Sequence, residues 1–357
     1  MKNLKWLLKT ITNLNNSILK DRPSYPNEDV KRFVENNVDI SNSTLYINGI
    51  REIENSYKKK KFGCIISFIL INRIKEINKF FNKNNNSLKH NGYLIGCFKQ
   101  NPNRKNFILR KYPPFINYFI YILDFFYHRV FSKLQISKRF YFFINKSRVI
   151  SKAEVYGRLY MCGFIITAEK KINGINYFVF KKTQNSKINY EKNYGFIISL
   201  KRLGKNNRIF NAYKLRTMHP YSEYLQEYIY NKNKLVKGGK IKNDFRISPE
   251  GRFFRKYWLD ELPMIINILK GDIKIVGVRP LSEHYFSLYR EEIKIIRSKL
   301  KPGFIPPFYV DLPKSLNEIM KSEKNYMELY LKNPIKTDLS YLIKSLYNVF
   351  IKGVRSQ

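Results

Sequence analysis

The sequence predicts an α/β protein in two parts, an N-terminal region of alternating strands and helices and a helix-rich mixed α/β domain after it. A length of 357 residues is typical of about two domains, and 44% hydrophobic residues suffice to build a core in each. The continuous apolar run Phe62–Leu70 is typical of a buried strand. We place a basic amphipathic lead-in at residues 1–40, the first region at 41–182 and the second at 183–357.

The first region contains a strand–helix–strand pattern. After Phe62–Leu70 come helical spacing over Arg73–Phe81, a polar turn over Asn84–Asn91 and a strand over Gly92–Phe98. This unit resembles the later half of a class I methyltransferase domain, but it lacks the glycine-rich loop that would hold the cofactor. We therefore predict a Rossmann-like accessory region rather than an active methyltransferase.

Three features follow in the same region. Tyr112–Phe131 is the most aromatic segment of the chain, and we expect a helix that packs inside the protein, with a position in a lipid headgroup layer as the alternative. Asn173-Gly174 between two apolar runs predicts a β-hairpin. The polar stretch Thr183–Asn193 is the predicted domain boundary.

The chain carries 67 Lys and Arg against 27 Asp and Glu, a formal net charge of +40. Such a charge attracts nucleic acid, anionic lipid or phosphorylated substrates, although A/T-rich codon usage also produces an excess of lysine. No secretory signal is visible, and the longest uncharged apolar stretches fall short of the roughly 20 residues that cross a bilayer. Three dispersed cysteines exclude a disulfide framework and a four-thiolate zinc site, and predict buried thiols in a reducing compartment.

Two adjacent carboxylates, Asp260 and Glu261, stand inside a strongly basic segment. Helical spacing of apolar residues runs through them, and Pro263 suits the first turn of that helix. The acids then lie at a helix N-terminus, where negative charge is favoured. One carboxylate can act as a nucleophile and its neighbour can bind a divalent cation, but a capping acid beside a solvated acid is the simpler explanation when the pair is taken alone. The apolar positions are Leu259, Leu262, Ile265, Ile266 and Leu269.

The motifs around these acids resemble the bacterial sugar transferase family, the monotopic phosphoglycosyl transferases that load a sugar phosphate onto polyprenyl phosphate. The resemblance runs continuously over Leu200–Asp311, and the segment His219–Leu225 looks like a Bacteroidetes-type subgroup. Five elements occur in the family's order: Lys-x-Arg-Thr-Met at 214–218, Asn-Asp-x-Arg at 243–246, Gly-Arg-x-x-Arg at 251–255, Leu-Asp-Glu-Leu-Pro at 259–263 and Val-Gly-x-Arg-Pro at 276–280.

The resemblance implies a two-step transfer from a UDP-sugar to polyprenyl phosphate. Asp260 matches the family's nucleophile, which takes up the phosphosugar and releases UMP, and Glu261 matches the acid that binds Mg²⁺. The matching basic positions, which suit phosphate recognition, are Lys214, Arg216, Arg255 and Arg279. The implied location is the cytoplasmic face of the inner membrane, peripheral or monotopic, with a membrane surface and no nucleic acid as partner.

Two departures from the family pattern concern membrane attachment and one backbone position. The stretch Ile172–Leu200, where the family has an apolar re-entrant helix, contains several lysines and cannot enter hydrocarbon cheaply. Val278 stands where the family usually has proline before the arginine. A non-prenyl acceptor and a non-catalytic scaffold therefore stay open as alternatives. A basic nucleic-acid-binding protein is a weaker one, because no such motif is visible.

Overall fold

A computed structural model describes residues 28–39, 43–47, 61–100, 104–130, 148–186, 194–233 and 243–353. Most of the predicted lead-in and part of the predicted boundary stretch lie outside these residues. The chain forms two compact units, Met1–Gly195 with His219–Tyr228, and Phe196–Met218 with Ile229–Gln357.

The first unit is built on a five-stranded sheet with the order β1-β2-β3-β5-β4. Strands β1, β2 and β3 are parallel, whereas β5 runs antiparallel to both β3 and β4. The predicted hairpin is confirmed, with Asn173 (φ 46°) and Gly174 (φ 78°) in the turn. The strands are β1 (Thr44–Ile47), β2 (Phe62–Leu70), β3 (Leu88–Phe98), β4 (Phe164–Ile172) and β5 (Ile175–Lys182).

Helices pack on both faces of this sheet. The first helix buries Val30, Phe33 and Val34 in a core shared with strands β2, β3 and β5. On the alternate strand positions, Tyr156 makes edge contacts with the rings of Phe178 and Phe180. The helices are α1 (Glu28–Glu35), α2 (Ile77–Ser87), α3 (Arg104–Lys111), α4 (Ile116–Phe125), which a π-helical turn (Phe126–Val130) continues, and α5 (Lys152–Met161). The α/β class is thus confirmed, and the Rossmann-like assignment of this region stays a prediction.

One local prediction in this unit is wrong, and a second holds only in part. Helix α2 begins at Ile77 and runs to Ser87, so it includes part of the predicted polar turn. Asn84 and Asn85 are fully buried there. Hydrogen bonds offset the cost of burying their amides, because the Asn84 amide donates to Phe80 O (2.7 Å) and the Asn85 amide donates to Cys162 O (2.8 Å). The expected internal packing of the aromatic segment holds on one face only, since helix α4 buries Ile120 and Asp124 but exposes Phe119 and Ile122.

The first unit also contains the short segment His219–Tyr228. Its Tyr221 is fully buried against α5, where the Arg158 guanidinium lies 4.1 Å from the ring centre. The Asn78 amide donates to the Tyr221 hydroxyl (2.8 Å). A Cβ at Gly157 would lie 2.1 Å from Tyr221 O, so this approach requires glycine. A 3₁₀ turn (Ser222–Leu225) and helix α6 (Gln226–Asn233) follow.

The second unit combines a hairpin, a short parallel strand pair and helices. Strands β6 (Ile197–Leu203) and β7 (Ile209–Leu215) form the hairpin, and β8 (Lys274–Val276) pairs with β9 (Gly303–Ile305). The core around the parallel pair includes Val276, Ile293, Ile305, Tyr326 and Met327. The helices are α7 (Pro249–Lys256), α8 (Ile265–Leu269), α9 (Glu283–Ser287), α10 (Glu291–Ser298), α11 (Phe308–Asp311), α12 (Leu316–Lys332) and α13 (Pro334–Phe350).

The predicted helix through the two acids is divided. Residues Leu259–Met264 form a 3₁₀ turn that contains Pro263, and only then does α8 begin. The predicted apolar face is largely exposed, and the side chains that turn inward are Met264 and Asn267. The acids do lie in the first turn of this element, as expected.

Two further observations concern membrane spans and thiols. No helix within the described ranges is long and apolar enough to cross a bilayer. Cys64, Cys97 and Cys162 are free and buried, which confirms the prediction of buried thiols.

Candidate active site

The predicted site residues come from four elements of the second unit. Lys214 lies near the end of β7, Arg255 near the end of α7, the two acids in the 3₁₀ turn and Arg279 in the loop after β8. Trp258 joins α7 to the 3₁₀ turn in a left-handed conformation (φ 60°), which is costly for a bulky residue. Its ring is held in place by stacking on Phe304 (5.4 Å between centroids) and by contact with Tyr309.

Glu261 is a buried carboxylate with a cation and an indole as partners. Its side chain is 14% exposed; Oε1 forms an ion pair with Lys214 Nζ, and Oε2 accepts a hydrogen bond from Trp258 Nε1 (2.9 Å). Arg279 Nη2 lies 3.9 Å from the same Oε1 atom of Glu261. Burial by itself raises the pKa of Glu261, but the charges of Lys214 and Arg279 and the two hydrogen bonds outweigh it and hold the pKa below its usual value. Glu261 is therefore a fixed negative charge.

Asp260 lies in a different electrostatic environment. Burial raises the pKa of its carboxyl group, and the neighbouring Glu261 raises it further. The charges of Lys214 and Arg255 offset part of that increase. The two acids therefore repel each other inside a ring of cations, an arrangement that a further cation or a phosphate ester can stabilise.

Arg255 is positioned by a close backbone contact. Its Nε donates to the Thr217 hydroxyl (2.9 Å), and Thr217 O accepts the N–H of Ser248 (3.0 Å) at the start of α7. Gly251 permits this approach, because a Cβ there would lie 2.0 Å from Thr217 O. Burial lowers the pKa of Arg255, while the charges of Asp260 and Asp244 act to raise it. The guanidinium therefore lies in the electrostatic field of the candidate nucleophile.

Asn267 connects the acid-bearing turn to the hairpin. The side chain is fully buried; its Oδ1 accepts from Tyr213 N (3.0 Å), and its amide donates to Asn211 O (2.8 Å) and to Asp272 Oδ2 (3.0 Å). Met264 packs beside Phe210 and Ala212 of the same hairpin. These contacts fix the acids relative to β7, which carries Lys214.

The loop that carries Arg279 is held by a buried ion pair. Arg297 on α10 pairs with Glu323 on α12, and it also donates to the backbone carbonyl of Arg279. Both side chains of the pair are almost fully buried, whereas the Arg279 side chain is 59% exposed. The backbone of the loop is thus anchored, and the guanidinium of Arg279 faces solvent.

Glu261, Lys214 and Arg279 border a pocket of about 580 Å³ in the second unit, together with Arg202. Burial lowers the pKa of Arg202, and the positive charge of Arg279 lowers it further. An anion in the pocket would relieve this repulsion. Aromatic residues also line the pocket, among them Tyr285, Tyr289, Phe304, Phe308 and Tyr309. Such a lining suits a ligand that combines a phosphate with a flat apolar or sugar moiety.

The predicted Mg²⁺ site would rest on few protein ligands. In the part of the chain that the structure describes, no group of three or more His, Cys, Asp or Glu side chains is placed to hold a metal ion. Mg²⁺ commonly takes only one or two carboxylates and completes its coordination with water and substrate phosphates. The pair Asp260 and Glu261 meets that requirement.

Most of the predicted site is brought together. Asp260, Glu261, Lys214, Arg255 and Arg279 form one electrostatic cluster. Arg216 is different, because its described contact is a backbone one, from its N–H to Phe196 O (2.7 Å), and its role stays a prediction.

Sequence reasoning missed several supporting residues. Trp258 is separated from Asp260 by Leu259 alone, and its indole N–H is a signal that was available. Arg297 lies four residues after Ile293 on the apolar side of α10, where a lone cation indicates a buried partner. Thr217 lies within the Lys-x-Arg-Thr-Met motif, but its contact with Arg255 was not predicted. Glu323 gave no comparable signal, because its partner Arg297 is distant in sequence.

Comparison with known proteins relates this part of the chain to a family. Residues 183–352 match the family described as Bacterial sugar transferase. The Galactosyl transferase CpsE of Streptococcus agalactiae is 31% identical over 161 residues, 43% of this chain and 34% of the relative. The Undecaprenyl-phosphate galactose phosphotransferase of Salmonella typhimurium is 34% identical over 151 residues, 40% of this chain and 31% of the relative.

A third relative is the UDP-galactose-lipid carrier transferase of Erwinia amylovora, 29% identical over 152 residues, 41% of this chain and 31% of the relative. The residues that match the family contain all five predicted motifs and every predicted site residue. Residues 183–352 therefore belong to the bacterial sugar transferase family. The chain aligns with about a third of the length of these curated relatives.

Proposed function

We propose that this protein is a phosphoglycosyl transferase that moves a sugar 1-phosphate from a UDP-sugar to polyprenyl phosphate, in polysaccharide or glycoconjugate biosynthesis. The observation that carries the proposal is the pair Asp260 and Glu261, held in unlike electrostatic environments among Lys214, Arg255 and Arg279. The names of the relatives, which include a lipid carrier and a UDP-sugar, support the same substrates.

In the first step, a carboxylate oxygen of Asp260 attacks the phosphorus that bears the sugar. A bond forms between that oxygen and phosphorus, and the bond from phosphorus to the bridging oxygen breaks, so that UMP leaves with the electron pair. Lys214 and Arg255, whose charges act on Asp260, favour its ionised form and offset charge on the phosphate. The product of this step is an aspartyl-phosphosugar on the protein.

In the second step, a phosphate oxygen of polyprenyl phosphate attacks the phosphorus of this intermediate. The acyl–phosphate bond breaks, Asp260 returns as a carboxylate, and the sugar leaves on a lipid diphosphate. Arg279 is exposed at the pocket and presents a planar fork that suits either phosphate substrate. When bound by Glu261 next to Asp260, Mg²⁺ would supply positive charge against the diphosphate.

The proposed location is the cytoplasmic face of the inner membrane. Three free, buried cysteines fit a reducing compartment, and a polyprenyl acceptor requires a nearby lipid surface.

The test is UMP release from a panel of UDP-sugars with Mg²⁺, with and without polyprenyl phosphate. Asp260→Asn should abolish both UMP release and the mass increase of one phosphosugar on the peptide that contains residue 260. Asp29→Asn is the matched control, because Asp29 is an exposed aspartate on α1. Undiminished turnover in Asp260→Asn would refute the nucleophile. Failure of the wild type with every UDP-sugar would favour the scaffold alternative.

A further inference from the structure

Helix α4 and the π-helical turn that continues it have their apolar side outside and their polar side inside. The inward positions, spaced as one helical face, include Asn117, Asp124 and His128. The outward side chains range in exposure from 40% at Phe126 to 91% at Phe115. In a helix that faces water the distribution is the reverse. The outward set, called here the α4 apolar face, is Phe115, Ile116, Tyr118, Phe119, Ile122 and Phe126.

Contacts on the inner side fix this orientation. The Asn117 amide donates to Leu109 O of α3 (3.0 Å), and Asp124 and His128 lie 3.6 Å apart, both buried. Ile120, which lies between Asn117 and Asp124 on the same face of the helix, is also buried. Rotation of the helix would hide the aromatic rings but would break these polar contacts, so the apolar face stays directed outward.

Helix α3, which contacts α4 through Leu109, ends in two cations. Arg110 and Lys111 end helix α3 and are exposed, and Lys111 Nζ lies 5.7 Å from the centre of the Phe107 ring. The sole acid in residues 104–130 is Asp124, which is buried on the opposite side. Aromatic and aliphatic side chains with adjacent Lys and Arg are typical of helices that lie in the headgroup region of an anionic bilayer.

Other occupants fit less well. Two copies of this chain, each with a net charge of +40, would repel each other. Within the described residues, α4 and the π-helical turn together are too short to cross a bilayer, because their 10 and 5 residues extend at most about 22 Å against a hydrocarbon core of roughly 30 Å.

We propose that the α4 apolar face is a docking surface for an anionic phospholipid bilayer, with α4 parallel to the membrane plane at the headgroup boundary. This surface lies outside residues 183–352 and therefore adds a membrane contact that the sugar transferase region does not supply. The proposal does not depend on the transferase activity.

The experiment is flotation of the purified full-length chain with vesicles of phosphatidylcholine alone or of phosphatidylcholine mixed equally with phosphatidylglycerol. The test variant combines Phe115→Ser, Phe119→Ser and Ile122→Ser, which should weaken partitioning about tenfold per residue. The matched control combines Ile197→Ser, Leu288→Ser and Ile295→Ser, three separate apolar side chains that are also exposed. Because all six are surface positions, both variants should keep the wild-type far-UV circular dichroism.

The wild type and the control should float with the phosphatidylglycerol vesicles and not with phosphatidylcholine alone, and the α4 variant should stay behind. A Phe119→Trp variant should shift its fluorescence emission to shorter wavelength, relative to the wild type, when the same vesicles are added. Any of four results overturns the proposal. The α4 variant floats like the wild type, or the control loses flotation to the same extent. Alternatively, the emission spectrum of the Phe119→Trp variant does not change, or the wild type binds uncharged vesicles equally well. A change of oligomeric state in the α4 variant with unchanged flotation would assign the face to a second copy instead.

Discussion

Replacement of Gly251 by alanine is expected to reduce activity through a backbone collision rather than through any lost side chain. The new Cβ would lie 2.0 Å from Thr217 O, whereas an ordinary contact needs at least 3.4 Å. The N-terminal end of α7 must therefore retreat by more than about 1 Å, the size of displacement that costs roughly 100-fold in rate when it moves a group at the reacting centre. Arg255 lies one turn further along α7 and is hydrogen-bonded to Thr217, so it moves with the displaced end of the helix.

The assay for Gly251→Ala is UMP release from a UDP-sugar, read beside thermal unfolding. A 100-fold loss in kcat/KM corresponds to about 2.7 kcal/mol of transition-state stabilisation. Overpacking of this kind should also lower the free energy of unfolding by about 1–3 kcal/mol. Gly204→Ala is the control, because its Cβ would meet Arg208 O at 3.3 Å and needs only a small adjustment. A normal melting temperature would refute the collision, and a lower one with full activity would refute the positioning of Arg255.

Two further predictions concern buried groups. Arg297→Met should lower the free energy of unfolding by about 3–5 kcal/mol, because Glu323 is left as an uncompensated buried charge, and adding Glu323→Leu should recover part of the loss in urea titrations. No recovery in the double variant would show that the pair is not the source of the effect. Burial raises the pKa of Cys64, Cys97 and Cys162 to about 12, so iodoacetamide should label none of them in the folded chain at pH 8 and all three in urea; native labelling at the rate of a free thiol would contradict their burial.

The family resemblance named residues that the structure brings into one cluster, and their catalytic roles stay predictions. Asp260 and Glu261 are neighbours in sequence, and the elements that carry Lys214, Arg255 and Arg279 converge on them as expected. The supports of these residues were not predictable in the same way. Arg297 reaches the backbone of Arg279, 18 residues away, and the partner of Arg297 is on another helix. Such contacts depend on how helices pack, which local patterns do not encode.

The fold followed local patterns where the chain buries apolar residues on both faces of a sheet. Strand Phe62–Leu70 has the predicted bounds, because a continuous apolar run needs no distant partner to identify it. The polar run that closes α2 was predicted as a turn, since asparagine ordinarily favours turns. Asn85 is helical because its amide satisfies the carbonyls of Cys162 and Gln184, which lie 77 and 99 residues away.

Helices α4 and α8 both turn polar side chains inward, and this predicts an unusual response to substitution at Asn267. Asn267→Leu places an apolar residue at a fully buried position, yet it removes one acceptor and two donated hydrogen bonds. Tyr213 N and Asn211 O are then left without that partner, at about 1–3 kcal/mol for each buried group. Ile266→Ser, on the exposed side of the same helix, should change the free energy of unfolding by less than about 0.5 kcal/mol. Urea unfolding of the two variants decides the matter. A more stable Asn267→Leu protein would mean that apolar burial, rather than the amide contacts, orients the turn that carries Asp260 and Glu261.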